Sequence, residues 1–536
     1  MAIDKFRQEP RTVVLIGFIF FFTFFFLFFN LGGRTLENQD NMRFAEVGRE
    51  ILETGDWVMM HLGGNIYVDK LPLHFWNTAL SYELFGINTF AARVPSAIFA
   101  LLGIIGVLLF CLTFDRESPK TGIYAALFLA ANYGYAYYAR TVRLDMEYAV
   151  LFSLSLLSFY LGYNLSERRS KVIYYLVFWI FMGLAFLEKG PVAFIPLLIV
   201  LIYMLILRDW KQLRFGILVA TFPVLILVVL PWVRLLYKHP DFNSYMNLLE
   251  HSRIMTRREG FFYYFPAFMI NFFPGSIFLV ISIPFIRRWG DAIKERPWLV
   301  FCIIWFVVYF AIIHLTSAKT FRYLLPVFLP VSVITAWATE RMFSTAVLSH
   351  NLRWYWKVPA VVFACLVCLA PTVWTLVHGG QIYIAIILSM AGFFSLFFAW
   401  RRSRDAVIFI CILSMLGLLS LDVIRTTYNE QVSHNLRLYN LLKDHHIEAD
   451  EVLLYKTDRD VKRTLGFYYN RLPRDENVIA GIEKEVKAVV TPPGHISDVL
   501  RIYGSDKKTL LLNNSSGEYN YIVVFTALSR ASRKEN

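Results

Sequence analysis

From residue 12 to residue 424 the chain alternates long apolar runs with short polar interruptions. Most runs approach the ~20 residues that a helix needs to cross a hydrocarbon core. The first, TVVLIGFIFFFTFFFLFFNL, follows Lys5, Arg7 and Arg11 and has no small-residue cleavage site. It is expected to remain as a first span with a cytoplasmic N-terminus. Further spans are expected near residues 103, 130, 156, 181, 200, 223, 275, 307, 332, 367, 390 and 415, about thirteen in all, an odd number that exports the C-terminal segment. The loops DRESPK, SERRSK, RDWKQLR, RRWGDAIKER, Arg341 to Lys357, and RRSRD all carry Lys or Arg, which marks that side as cytoplasmic. The other side receives two large loops, 32–92 and 234–262, and turns around Arg143, Lys189, Lys319 and His378. Beyond residue 425 the pattern shortens: EVLLY, KAVVT, KTLLL and YIVVF read as strands, while DVKRTLGFYYNRL and ISDVLRIYG read as helices. A small periplasmic α/β domain follows from that alternation.

Composition sharpens the picture. Of 536 residues, 57% are hydrophobic and only 17% charged, which excludes an ordinary soluble domain. The net charge of +13 is spread in short clusters between apolar runs rather than along one soluble face. It therefore points to topology and an anionic lipid, with no nucleic-acid partner. Cys111, Cys302, Cys365, Cys368 and Cys411 all lie in apolar runs, so no disulfide framework is implied. The Cys365/Cys368 pair has redox-motif spacing, yet within VVFACLVCLAP it reads as packing.

Ionisable residues beside apolar runs are costly unless paired or facing water, which singles out Asp145 and Lys189. Asp40 and Arg43, three residues apart, fit a functional pair or simply a helix-start charge and its neighbour.

The order of motifs narrows the reading. An acid with Arg three residues on is followed by AEVGREILETGDW, YVDKLPLHFW and ARVPSA, then RTVRLDMEYAV, FLEKGPVAF, EHSRIM, FFYYFPAFMINFFPGS and TSAKTFRYLLPVFLP. This series resembles the lipid A aminoarabinose transferases and their wider family, membrane glycosyltransferases of the GT-C fold that are distantly similar to protein O-mannosyltransferases. The resemblance implies a polytopic α-helical membrane protein with a catalytic membrane domain over 1–424 and a periplasmic α/β domain over 425–536. It also implies inverting transfer of one sugar from a polyprenyl (undecaprenyl) phosphate donor to lipid A or another envelope glycolipid at the periplasmic face of the inner membrane. Departures fall on substrate choice. Relatives usually show Asp-Glu where this chain has Asp40-Asn41, Glu-Lys-Pro-Pro where it has Asp69-Lys70-Leu71-Pro72, and Tyr where it has Phe44.

Such a reaction breaks the bond between anomeric carbon and phosphate oxygen. Phosphate leaves readily, so no general acid is required, but cations must hold the departing charge. The candidates are Arg43, Lys70 and Lys189, with Arg253, Arg257 and Lys319 behind them. Asp40 is the candidate base for an acceptor hydroxyl. For an anionic lipid A phosphate it would instead orient the acceptor or bind a sugar substituent. Asp145 is the second carboxylate, and Asp69, Tyr67 and Tyr323 are expected to line the substrate groove, although aromatics are common at membrane interfaces. No cofactor is required. The family offers precedent for a divalent metal joining Asp69 to His251, the residue after Glu250, and two ligands make a weak site, so His251 also reads as a surface or core histidine. Glu53, Asp56 and Trp57 read as structural. Rival readings are a flippase for a lipid-linked saccharide, which calls for midplane polar residues and repeated halves that are not seen, and a protein O-glycosyltransferase.

Overall fold

The computed structural model describes residues 10–36, 39–115, 117–207, 215–251, 259–283, 286–316, 319–344, 407–419, 434–457, 459–471, 473–476, 486–503, 509–513 and 519–525. Contacts divide the chain into two compact units: 1–31, 68–74 and 93–423 form the first, and 32–67, 75–92 and 424–536 the second.

The first unit is helical. Six described helical runs are long and apolar enough to cross a membrane, seven if a bent pair is taken as one span. One of the six, Arg168–Ile206, is in fact two antiparallel spans. Helix α1 (Leu144–Asn164) leads into α2 (Arg168–Lys189), and Lys189 returns to the start of α1, with its Nζ 2.6 Å from Asp145 Oδ1. The next helix, α3 (Ile195–Ile206), then runs back, because Tyr203 near its end meets Tyr160 and Tyr163 near the end of α1, with ring centroids 6.0 and 5.8 Å apart. The reversal sits at Gly190, whose φ of 70° and ψ of −140° suit glycine alone, followed by Pro191. The separate spans expected near 181 and 200 are therefore both present.

Other spans depart from straight rods. The span expected near 130 is a helix over Pro119–Ala131 that breaks at Asn132, whose side chain caps Tyr133–Ala139 by accepting from the Tyr135 N–H. The span expected near 275 is bent by 109° between 261–271 and 275–282. Helices α4 (Pro297–Leu315) and α5 (Leu325–Ser344) follow the expectation near 307 and 332. Shorter apolar helices occupy Val14–Phe28 and Val407–Leu419, while the spans expected near 367 and 390, and the Cys365/Cys368 pair, lie outside the described residues. Cys111, Cys302 and Cys411 are buried thiols, consistent with packing.

The unit has two chemically distinct ends. At one, Glu117 meets Arg296 and Arg341, and the Ser118 hydroxyl donates to Glu340. At the other lie Asp145 and Lys189. Between them, side chains such as Phe21, Leu109, Leu205, Leu227 and Leu230 are exposed, an apolar surface suited to lipid. The protein is membrane-embedded and multi-pass. Arg140, 4% exposed, donates to the carbonyls of Phe26, Leu27 and Phe29, and so closes the C-terminal end of the first apolar helix, where backbone acceptors would otherwise be orphaned.

The second unit brings the segment after the first span together with the C-terminal residues, rather than leaving it as a loop of the membrane domain. In its sheet β1 (Val452–Tyr455) is parallel to β2 (Arg474–Glu476) and β3 (Ala488–Thr491), and β5 (Tyr519–Phe525) is antiparallel to β3 and β4 (Thr509–Asn513), which gives the order β2-β1-β3-β5-β4. Alternate residues face opposite layers. Val452 and Leu454 pack with Leu438, Leu442, Val461 and Leu465, whereas Leu453 and Tyr455 pack with Val499. The helix Arg459–Tyr469 also packs on the helix Gln39–Thr54, and Tyr82 meets Phe467. A buried ion pair, Arg49 with Glu46, extends to Glu53 along that helix. Asp56 caps a turn by accepting from Val58 and Met59, and the Trp57 carbonyl accepts from Trp76 Nε1. Glu53, Asp56 and Trp57 thus each make a contact that holds the local fold.

Candidate active site

Asp145 stands in the first turn of α1 and Lys189 in the last turn of α2. Antiparallel packing sets those ends side by side, and each charge faces the helix terminus whose dipole favours it. The pair is largely withdrawn from solvent, at 3% exposure for the Asp145 side chain and 16% for Lys189, with 2.6 Å between Nζ and Oδ1. Arg322 Nη1 approaches the other oxygen, Oδ2, at 3.8 Å. The Lys189 ammonium also lies over the rings of Tyr148 and Tyr323, at 4.6 and 5.5 Å, so one cation has a carboxylate and two aromatic faces around it. Tyr148 is held in turn by donating to the Val192 carbonyl.

Lys70 adds a third cation. It is half-buried, and its charge is felt by Asp69, Arg322, Asp145 and Lys189. Burial holds its ammonium below the ordinary lysine value, the nearby Arg322 and Lys189 push the same way, and Asp69 and Asp145 oppose them. An arriving phosphate dianion or monoanion would relieve that repulsion, which is what a phosphate-binding lysine requires.

Of the other expected residues, Asp69 is exposed and adds its charge beside Lys70. Lys319 is buried but donates to the Thr316 carbonyl, and the cation that reaches Asp145 is Arg322, three residues later. Arg253 and Arg257 lie outside the described residues, and His251 ends the helix Phe242–His251 with its side chain outside them as well. Asp40, Arg43 and Tyr67 belong to the second unit. There Asp40 lies in the first turn of Gln39–Thr54 and accepts from Arg43 Nη2 at 2.9 Å, and the Arg43 guanidinium covers the rings of Phe44 and Tyr67. Both are partly exposed, so this pair has the geometry of a helix-start salt bridge as well as that of a usable carboxylate beside a fixed cation.

Sequence reasoning did not single out Arg322, Tyr148, His74, Glu147 or Glu188. The only available signal was that each sits inside a motif already notable for Tyr323, Asp145, Lys70 or Lys189.

The family model for dolichyl-phosphate-mannose-protein mannosyltransferases matches residues 69–233, which include Lys70, Asp145 and Lys189. The undecaprenyl phosphate-alpha-4-amino-4-deoxy-L-arabinose arabinosyl transferase of Pseudomonas savastanoi pv. phaseolicola is 29% identical over 316 residues, 57% of each chain. That of Edwardsiella ictaluri is 29% identical over 324 residues, 58% of this chain and 57% of its own. The chain thus matches a little over half the length of these relatives. Two crystal structures of ArnT from Cupriavidus metallidurans, one in the apo state and one bound to undecaprenyl phosphate, superpose with a TM-score of 0.75 at 20% identity, covering 97% of this chain and 99% of theirs. This chain has their GT-C fold, and the resemblance read from its motifs is borne out.

Proposed function

We propose that this chain is a polyprenyl-phosphate-dependent glycosyltransferase, which moves a single sugar from an undecaprenyl phosphate donor to lipid A or another envelope glycolipid with inversion. The observation that carries the reading is the group of Lys189, Arg322 and Lys70 around the buried Asp145 carboxylate at one end of the spans. A departing lipid phosphate needs converging cations in a poorly hydrated site, and no acid. Asp145 keeps Lys189 and Arg322 in place before donor arrives. The Lys- and Arg-rich loops mark the opposite end as cytoplasmic, so the site and the C-terminal sheet are periplasmic and the membrane is the inner one. A sugar of the 4-amino-4-deoxyarabinose class is the first candidate, because that is what the similar transferases are named for. Asp40 is assigned to the acceptor: it takes the proton of a hydroxyl nucleophile, or orients a phosphate nucleophile that needs no base.

Lys70 provides a test of the phosphate-binding role. A lysine whose folded-state pKa lies below 10.5 loses its charge earlier than a free one as pH rises. Its charged form costs stability below that depressed value, and the cost fades as pH climbs toward the unfolded value. Transfer needs the charged form. With purified protein and an undecaprenyl phosphate-linked sugar, kcat/KM should therefore fall on an alkaline limb below the ordinary lysine range. Lys70→Arg, which keeps its charge throughout, should retain transfer and lose that limb. An unchanged limb in Lys70→Arg removes Lys70 from phosphate binding.

The match to the protein mannosyltransferase model supports a second acceptor, an exported protein. Labelled sugar would then appear in the protein fraction instead of the lipid fraction.

A further inference from the structure

Next to the Asp145–Lys189 pair lies a second set of ionisable groups that phosphate binding does not use. His74, Glu147 and Glu188 come from three separate segments of the first unit and are 1%, 0% and 1% exposed. One ligand atom from each lies within 4.8 Å of the others. His74 Nδ1 and Glu147 Oε1 are 2.6 Å apart. Glu188 differs from both: its two carboxylate oxygens are buried with no side-chain hydrogen-bond donor, and only the His74 backbone N–H eases their charge by hydrogen bonding. It also sits in the last turn of α2, the helix end that disfavours negative charge. A buried carboxylate is ordinarily held by donors or by a cation. The nearest lysine in sequence, Lys189, is already committed to Asp145.

We propose that His74, Glu147 and Glu188 bind a divalent first-row transition metal ion of the Mn²⁺ to Zn²⁺ kind. One imidazole nitrogen and two carboxylate oxygens suit that class better than Mg²⁺ or Ca²⁺, which prefer all-oxygen shells. A dication balances both carboxylates with the imidazole neutral, and it gives the Glu188 oxygens a directly bound cation. Its effect on the neighbouring site follows from sequence adjacency. Glu188 directly precedes Lys189, and Glu147 lies two residues after Asp145. Neutralising these two carboxylates preserves the positive potential that a lipid phosphate meets at Lys189. Full burial makes the ion a resident one, in a closed site, rather than one that exchanges with substrate.

The test uses full-length protein purified in detergent through a tag that binds no metal. The protein is stripped with EDTA, titrated with MnCl₂ and ZnCl₂, and desalted, and then its metal content is measured by mass spectrometry and Mn²⁺ binding by electron paramagnetic resonance. One ion per chain is expected, with a higher thermal midpoint on loading. Glu188→Gln and His74→Gln should each weaken binding by more than the ~10–100-fold that losing an outer-shell partner costs. If either variant fails to fold, Glu147→Gln takes its place. Wild-type protein that retains no ion overturns the proposal. So does an affinity unchanged in the variants, and loss of that ion in Asp69→Asn would then put the metal at Asp69.

Discussion

Lys189→Met is expected to lower the rate of sugar transfer by about 10²–10³-fold, the usual cost of removing one preorganised group that stabilises developing charge. It should also destabilise the fold, because Asp145, 3% exposed, loses its 2.6 Å contact to Lys189 and is left with the more distant Arg322 at 3.8 Å. Stranding one member of a buried pair costs about 3–5 kcal/mol. Those two effects separate in the double variant. Asp145→Asn with Lys189→Met removes both charges and should recover most of the lost stability while transfer stays low, since the cation for the phosphate is still missing. Thermal unfolding in detergent and single-turnover transfer, measured on the same preparations, read the two quantities. Recovery of transfer together with stability would make Lys189 a purely structural partner of Asp145.

Arg49→Met should give the largest loss of stability in the second unit, again about 3–5 kcal/mol. Its guanidinium is 1% exposed, bonds both oxygens of Glu46, which is fully buried, and reaches Glu53 one turn later. Burial pushes the Glu46 carboxyl up to about 7 even against the pull of Arg49. A carboxyl whose folded-state pKa exceeds its unfolded value favours folding at low pH and costs stability as pH rises above 4.5. Removing Arg49 raises it further. The variant should therefore be destabilised more at about pH 8 than at about pH 5. Glu46→Met combined with Arg49→Met, which leaves no charge stranded, should restore most of the stability and remove that pH dependence. A single Arg49→Met variant within 1 kcal/mol of wild type would mean that water reaches the pair.

Local patterns carried much of this structure. The spans near 181 and 200 were legible because each apolar run is long enough and a Gly-Pro step separates them. Four of the five strands of the C-terminal sheet were legible as apolar runs. The fifth, Arg474–Glu476, lies at the sheet edge and reads Arg-Asp-Glu, which gave no apolar signal. Long-range grouping was not legible. Nothing local in Gln39–Thr54 says that it packs with Arg459–Tyr469, about four hundred residues away in sequence.

The site follows the same rule. Asp145 and Lys189 stood out because an ionisable residue beside an apolar run must be paired or wet, and they prove to be each other's partner. Arg322 did not, since FRYLL reads as an aromatic-lined span start. His74, Glu147 and Glu188 each have an ordinary local context, and only the return of Lys189 to Asp145 brings their segments together. Lys319 stood out for its charge and its place in TSAKTFRYLLPVFLP, and neither reveals that its ammonium donates to the Thr316 carbonyl.

The reaction itself is tested most directly by mass spectrometry of lipid A and of polyprenyl phosphate sugars, extracted from cells with and without the gene. Loss of one sugar's mass from a lipid A species, with the lipid-linked donor accumulating, is the expected result and names the substrate. No change in either pool would contradict a lipid A acceptor and move the search to the glycoprotein and polysaccharide fractions.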